Sequence, residues 1–237
     1  MAIKSLKLLF DGYFELDMGQ LVYGKTSYYG IKYKAALKPL LIRTDRDNIL
    51  IDTGIGDLPE KYQKYYKSER KTTLEDSLLA EGLAPEDISL VINTHLHVDH
   101  CGNNRLFKKA RFIVQKAELE YAYNPHRFMK GGYVTDLFDG LKFETIDGDT
   151  EIVAGVNTLK TSGHTPGHQS VLIDAANTPL NKKYIYCGDE APLAENLKKR
   201  NITGILFNQV NSLAALDRLQ SIDAVHIFSH DRDQLQI

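Results

Sequence analysis

The chain has 237 residues, of which 43% are hydrophobic and 25% charged, an ordinary composition for a globular protein with a sizeable core. Its 29 basic and 31 acidic residues leave a formal charge of -2, so no basic footprint favours a nucleic-acid partner. We expect one domain over residues 1–237 because no low-complexity linker divides the sequence.

The cysteine count and the apolar runs bear on location. Only Cys101 and Cys187 are present, too few for a disulfide framework, and residues 1–5 do not read as the start of a secretory signal. No run of about 18 apolar residues occurs, so no membrane span is predicted. We therefore expect a cytosolic protein without a membrane partner, either a monomer or a homodimer.

The first quarter of the chain is predicted to be an antiparallel β opening. Apolar segments separated by glycines and a polar turn predict strands over residues 6–10, 21–23, 37–42 and 49–51. Asp52-Thr53-Gly54 ends the last strand with a turn. Asp52 should therefore lie at the carboxyl edge of a strand, where open α/β sheets place their ligands.

Helices and further strands follow. Thr72 or Thr73 caps a predicted helix with a leucine stripe, and a strand over 89–94 comes next. Later strands are predicted at 111–115, 142–146, 151–153, 156–161, 170–174, 183–187 and 224–228, with helices at about 116–123 and around Leu213, Leu216 and Leu219. Two strand-rich halves, each followed by helices, fit two packed sheets with helices outside.

Four side chains able to bind a metal lie within six residues, directly after the strand at 89–94. They are His95, His97, Asp99 and His100. Neutral imidazole and carboxylate are ligands for zinc, iron or manganese, whereas a closed structural zinc site more often uses thiolates. The run therefore predicts metal-assisted chemistry.

Three more candidate ligands follow predicted strands. They are His164, Asp189 and His230, and each comes directly after a glycine or a serine. A small residue at that point lets the backbone turn sharply and aim the next side chain into a cleft.

The order of these motifs resembles the metallo-β-lactamase-fold hydrolases, from Asp52-Thr53-Gly54 through the histidine run to the last histidine. Within that superfamily the chain looks like the N-acyl homoserine lactonase group and its bacterial relatives. This second similarity rests on stretches that lie largely outside the ligands, at 103–107, 114–118 and 163–170.

The resemblance implies an α/β fold of four layers, an αββα sandwich, with two divalent metal ions where the sheets meet. It assigns His95, His97 and His164 to the first ion. It assigns Asp99, His100 and His230 to the second ion, and Asp189 to a bridging position between the two. Zinc is the expected metal, with iron, manganese and cobalt as alternatives that sequence does not separate.

The implied reaction is hydrolysis of a small-molecule substrate, a lactone of the N-acyl homoserine type or a similar ester. Two cations about 3.5–4 Å apart can share a hydroxide and hold a developing oxyanion, so no serine or cysteine nucleophile is needed. Asp99 would be catalytic as well as a ligand, because it could steer the hydroxide or accept its proton.

One position departs from the lactonase pattern. The best-known homoserine lactonases have a tyrosine three residues after the bridging aspartate, whereas this chain has Pro192, which offers no donor. Two alternatives therefore stay open: a phosphotriester or thioester hydrolase of the same fold, and a metal-dependent ligand-binding protein without enzymatic activity.

Other polar residues near the motifs are predicted to support the site. Asp52 is expected to orient a ligand without binding the metal. Structural roles are expected for His126, His168, His226, Cys101 and Cys187. The aromatic segments 28–33 and 121–133 are predicted to line the substrate pocket, with Tyr28 and Tyr133 as binding residues.

Overall fold

A computed structural model describes residues 2–237. The strands are β1 (Ile3–Leu8), β2 (Tyr13–Asp17), β3 (Lys32–Ala36), β4 (Leu40–Thr44), β5 (Asn48–Ile51), β6 (Ser68–Glu69), β7 (Leu90–Ile92), β8 (Arg111–Gln115), β9 (Phe143–Ile146), β10 (Thr150–Val153), β11 (Val156–Lys160), β12 (Gln169–Ala175), β13 (Lys182–Tyr186) and β14 (Val225–Ile227). The α-helices are α1 (Met18–Leu21), α2 (Glu60–Gln63), α3 (Leu74–Ala80), α4 (Val98–Cys101), α5 (Lys116–Tyr123), α6 (Ala194–Lys199) and α7 (Gln209–Ser221). Short 3₁₀ helices occupy Thr26–Tyr28, Pro85–Asp87, Asn104–Leu106, Lys130–Gly132, Thr135–Leu137 and Gly188–Glu190.

The strands form two large sheets and one small one. The first large sheet has the order β1-β4-β5-β7-β8-β9 and the second β10-β11-β12-β13-β14, while β3-β2-β6 form the small sheet. Strands β5, β7, β8 and β9 are parallel neighbours, as are β13 and β14. The segments that follow β5 and β7 therefore leave the first sheet at the same edge.

The two large sheets pack face to face. Every second residue of the first sheet, including Ile42, Ile49 and Ile92, contributes to a buried cluster with Val171 and Tyr186 of the second sheet. Successive residues of a strand point to opposite faces, which explains why the apolar runs alternate between two separate cores. Each fully buried side chain of this size contributes about 1.5–3 kcal/mol to folding.

Helices cover the outer face of each large sheet. Leu74 of α3 packs with Leu41 and Leu50, whose side chains point away from the other sheet. On the opposite side of the molecule, Leu216 of α7 packs with Ile185 of β13. The resulting order of helix, sheet, sheet and helix confirms the four-layer αββα sandwich predicted from the sequence.

The opening of the chain differs from the prediction. Residues 21–23 were expected to form a strand, but helix α1 ends there instead. A capping box starts this helix: Asp17 accepts from Gly19 N at 2.9 Å and Gln20 accepts from Asp17 N at 2.8 Å. This local capping outweighs the apolar character of 21–23, and the true early strands β2 and β3 flank α1.

None of the helices described between residues 2 and 237 combines the length and hydropathy needed to cross a bilayer. The cytosolic location, the single domain and the monomeric or homodimeric state stay predictions.

Candidate metal centre

The histidine run lies at the carboxyl end of β7, where the chain turns into α4. This helix begins directly after His97. Thr53 N, which follows β5, donates to His100 O at 2.8 Å, and Asn93 Nδ2 donates to the same carbonyl at 3.2 Å. The turn is thus tied to the ends of two parallel strands, which buries its metal-capable side chains: His95, His97, Asp99 and His100.

Three imidazoles converge on one point and form the first group, which consists of His95, His97 and His164. His164 Nε2 lies 3.2 Å from His95 Nε2 and 3.0 Å from His97 Nδ1. His164 comes from the loop before β12, and Gly163 leaves no room for a side chain beside Ser212. The sheets therefore bring together two loops that are distant in sequence.

A second group lies beside the first and consists of Asp99, His100 and His230. His230 Nε2 is 3.2 Å from His100 Nε2 and 3.4 Å from Asp99 Oδ2. Asp189 lies between the groups, with Oδ1 at 3.1 Å from His230 Nε2 and Oδ2 at 3.8 Å from His164 Nε2. One carboxylate therefore faces both groups.

The hydrogen bonds of these imidazoles indicate which ring nitrogens are free to bind a cation. His164 Nδ1 lies 2.6 Å from Ile205 O and His230 Nδ1 lies 3.1 Å from Ala36 O, and a carbonyl oxygen can only accept. Burial lowers the pKa of His95 and His164, so both rings are neutral, and Thr94 Oγ1, which donates its own proton to Asp52, accepts from His95 Nδ1 at 3.0 Å. His95 Nε2 and His164 Nε2 therefore present lone pairs to each other at 3.2 Å. Facing lone pairs repel, and a divalent cation between them relieves the repulsion. Nitrogen and carboxylate donors of this kind suit such an ion.

Burial and charge act differently on the two groups. Burial lowers the pKa of His95 well below its usual value, which keeps that ring a neutral ligand. Burial alone would also lower the pKa of His100, but the charge of Asp189 and two further carboxylates raises it well above its usual value. Burial opposes the ionisation of Asp189, yet His230 and His100 hold the pKa of its carboxyl well below its usual value. The second group therefore attracts positive charge, which a divalent ion would supply.

Asp52 lies behind the second group. Its Oδ1 accepts from Thr94 N at 2.7 Å, and its Oδ2 accepts from Thr94 Oγ1 at 2.8 Å and faces His100 Nδ1 at 2.8 Å. The residue adopts a φ of 58°, a left-handed conformation in which aspartate is more common than most residues. These are the contacts expected of a residue that orients a ligand without binding the metal.

A cavity of about 1030 Å³ opens onto the two groups. His97, Asp99, His164 and Asp189 line its inner end. Apolar and aromatic side chains form much of the remaining wall, including Phe14, Leu16, Tyr66, Met129, Tyr133 and Ile205. A largely apolar pocket with a few convergent polar groups is the usual form of a small-molecule site.

The family model of the metallo-beta-lactamase superfamily matches residues 39–228, which is more than half of the chain. The chain belongs to the metallo-beta-lactamase superfamily. The fold class predicted from the motifs is therefore confirmed by the family and by the architecture.

Named relatives of this superfamily member include lactonases. It is 35% identical over 170 residues to the N-acyl homoserine lactonase AttM of Rhizobium radiobacter, covering 67% of this chain and 64% of that relative, just under two thirds of its length. It is 31% identical over 209 residues to an N-acyl homoserine lactonase of a Bacillus species, covering 82% of this chain and 80% of that one. A solved N-acyl homoserine lactone hydrolase, with the product N-hexanoyl-L-homoserine bound at its catalytic metal centre, superposes with a TM-score of 0.85 at 26% identity, covering 99% of this chain and 96% of that chain.

The remaining histidines and the cysteines of this superfamily member belong to neither group. His168 Nε2 accepts from Asp189 N at 3.0 Å, so this ring helps to place the carboxylate that lies between the two groups. His226 lies in β14 and faces Leu219 O at 2.8 Å. His126 lies outside the two groups, beside Tyr121, and both cysteines are buried.

The prediction that Tyr28 lines the substrate pocket is wrong. Tyr28 is not among the residues that line the cavity, and its hydroxyl donates to Glu195 Oε2 at 2.8 Å. Tyr133 does line the cavity, but its hydroxyl donates to Glu118 Oε1 at 3.0 Å. Tyr133 therefore presents its ring, rather than a free hydroxyl, near the candidate centre.

Sequence reasoning missed two buried carboxylates that hold ligand loops. Glu118 accepts from Leu96 N at 3.0 Å, and Glu190 accepts from His164 N at 3.0 Å. Both side chains are fully buried, and burial raises the pKa of Glu190 to about 8. One available signal was the spacing of Glu118 and Ala122, which places a carboxylate on the core-facing side of α5.

Proposed function

We propose that this protein is a metal-dependent hydrolase that opens the ring of a lactone of the N-acyl homoserine type or cleaves a similar ester. The observation that carries the proposal is the convergence of seven imidazole and carboxylate groups at the inner end of a largely apolar cavity. The similarity to named lactonases supports this choice of substrate class.

In this proposal the chain holds two divalent ions. The first ion would be bound by His95, His97 and His164. The second would be bound by Asp99, His100 and His230, and Asp189 would bridge the two. When bound, such a pair of ions makes water nucleophilic at neutral pH and polarises an ester carbonyl. Zinc is proposed for both positions, although these ligands also accept iron, manganese and cobalt.

Asp99 is the proposed proton acceptor. Its carboxylate lines the cavity and lies 3.4 Å from His230 Nε2, so it faces both the ligands and the substrate space. An Asp99 oxygen can take the proton of the attacking water and later pass it to the ring oxygen that leaves. Proton transfer by a positioned carboxylate contributes about 10²–10⁴-fold in rate.

The cavity wall is proposed to bind the acyl part of the substrate. The Tyr133 ring lies 4.6 Å from the His97 ring, and Phe14 and Met129 line the same space. Apolar side chains there would displace water from an acyl chain and hold the ester carbonyl beside the ligands. The proposed substrate is therefore a small molecule and not a nucleic acid.

Pro192 favours a second candidate, a phosphotriester or thioester hydrolase. Its backbone oxygen accepts from His230 N at 3.1 Å, and proline has no donor of its own. The loop after Asp189 therefore places no phenol over the substrate space, so substrates other than lactones have to be tested.

The direct test measures acid release in a pH-stat from homoserine lactones of several chain lengths, with metal-stripped protein as the control. We expect turnover that depends on metal and varies with chain length. Turnover of a phosphotriester or a thioester without any lactone would refute the lactone assignment but keep the metal centre. Binding of these compounds without turnover of any lactone, phosphotriester or thioester would refute the proposal that the protein is an enzyme.

A further inference from the structure

Glu118 makes an unusual number of contacts for a side chain outside the two groups. It lies on α5, is fully buried, and accepts from Leu96 N at 3.0 Å and from Tyr133 OH at 3.0 Å. Thr165 Oγ1 donates to its other oxygen at 2.5 Å. Hydrogen bonds to a carboxylate are roughly twice as strong as those between neutral groups, so these contacts hold their partners firmly.

The partners of Glu118 border every imidazole of the first group. Leu96 lies between His95 and His97, and Thr165 directly follows His164. The third partner, Tyr133, packs against His97 with the two rings roughly perpendicular and their centroids 4.6 Å apart. One buried carboxylate thus connects both loops that supply the first group.

The second group is held by a different carboxylate. Asp52 faces His100 Nδ1 directly at 2.8 Å, and it reaches His95 only through Thr94 Oγ1, which lies 3.0 Å from His95 Nδ1. Glu118, in contrast, has no hydrogen bond to Asp99, His100 or His230 among the contacts of residues 2–237. The two groups therefore have largely separate supports.

We propose that Glu118 is a positioning residue for the ion of the first group, so that the affinities of the two ion sites can be changed independently. The inference rests on the proposed pair of ions. Residues that orient metal ligands typically change metal affinity by about 10- to 100-fold when they are substituted. We expect Glu118→Gln to weaken the first site by that factor and to leave the second site within about 3-fold of wild type.

The test compares wild type, Glu118→Gln and Glu120→Gln. Glu120 lies on the same helix with its side chain 68% exposed, so the control removes the same charge outside the network. Each metal-stripped protein is titrated with Co²⁺ against a chelator to obtain two dissociation constants. Anomalous scattering from crystals grown at limiting Co²⁺ then identifies which position has lost occupancy.

Selective loss at the position between His95, His97 and His164 in Glu118→Gln, with Glu120→Gln unchanged, supports the inference. Equal weakening at both positions, or no weakening at either, overturns it. Thermal unfolding of the metal-free proteins separates loss of folding from loss of affinity. If Glu118→Gln does not fold, Thr165→Val removes one donor, and it has to weaken the same position.

The wild-type titration tests the proposed centre separately. If wild type binds a single ion, at the first group, the proposed pair of ions is refuted. The effect of Glu118→Gln on that one site still tests the role of Glu118. A wild type that holds no ion at the first group overturns the inference as well.

Discussion

Gly132 lies directly against the imidazole of His97. A Cβ atom added to Gly132 would fall 2.5 Å from His97 Nε2, closer than side-chain atoms pack, whereas a Cβ added to Gly131 would meet nothing within 4 Å. His97 Nε2 itself has no hydrogen-bond partner among residues 2–237, so the backbone at Gly132 is what limits this ring on that side.

We expect Gly132→Ala to push the His97 ring away from the first group and to lower metal affinity about 10-fold or more, as loss of ligand orientation does elsewhere. Gly131→Ala is the matched control, because it adds the same methyl group at the neighbouring position, where it meets nothing within 4 Å. Metal content after dialysis measures the effect. Equal metal content in the two variants would show that the His97 ring adapts.

Metal removal should destabilise the fold as well as abolish activity, because the ligands come from loops of both large sheets. At an ion concentration of 100 times Kd, binding adds about 2.7 kcal/mol to the free energy of unfolding. For a chain of this size that corresponds to a fall in Tm of roughly 5–10 °C on stripping. Calorimetry with and without chelator measures the shift, and an unchanged Tm would contradict the proposed site.

The candidate ligands could be predicted from the sequence because the signal is local. Four of them fall within six residues after an apolar strand, and the others each follow a small residue at the end of a predicted strand or in a predicted turn. Strands β5 and β7 could likewise be predicted from their short apolar runs, and the structure shows why both faces are apolar, since each strand supplies side chains to two cores. Such local patterns determine much of the architecture.

The supports and the pocket could not be predicted in the same way, because they depend on distant contacts. Glu118 meets partners 22 and 47 residues away, and nothing beside it in the sequence signals that. Tyr28 was predicted to line the pocket from the aromatic character of its loop, but a contact 167 residues away, with Glu195, places it elsewhere. The composition of a loop does not specify which surface the loop faces.

The aromatic residues give a paired test of the cavity. We expect Tyr133→Ala to raise KM several-fold, with a larger effect on substrates of longer acyl chain, because the side chain lines the cavity beside His97. Tyr28→Ala should leave KM unchanged, since Tyr28 lies against Glu195 and outside that space. Initial rates over a chain-length series measure both. The same KM change in the two variants would place the substrate elsewhere.

Lys38 gives the stability of the protein a specific pH dependence. The side chain is only 3% exposed, and Nζ donates to Asp231 O at 2.5 Å and Gln234 O at 2.8 Å, both backbone oxygens rather than carboxylates. Burial lowers the pKa of this lysine from 10.5 to about 8. The unfolded chain keeps the lysine proton up to a pH of about 10.5, whereas the folded chain loses it at about 8. Between these two pH values the unfolded chain binds more protons, so the free energy of unfolding rises with pH.

We therefore expect the free energy of unfolding of wild type, measured relative to Lys38→Met, to increase by up to about 3 kcal/mol as the pH rises from about 8 to 10.5. Below that range both states carry the charge, so the difference between the two proteins should stay constant. Urea unfolding at several pH values measures it, and Lys109→Met, on an exposed lysine, controls for the loss of one positive charge. Parallel pH profiles for wild type and Lys38→Met would mean that the two backbone oxygens keep the buried ammonium ion charged throughout this range.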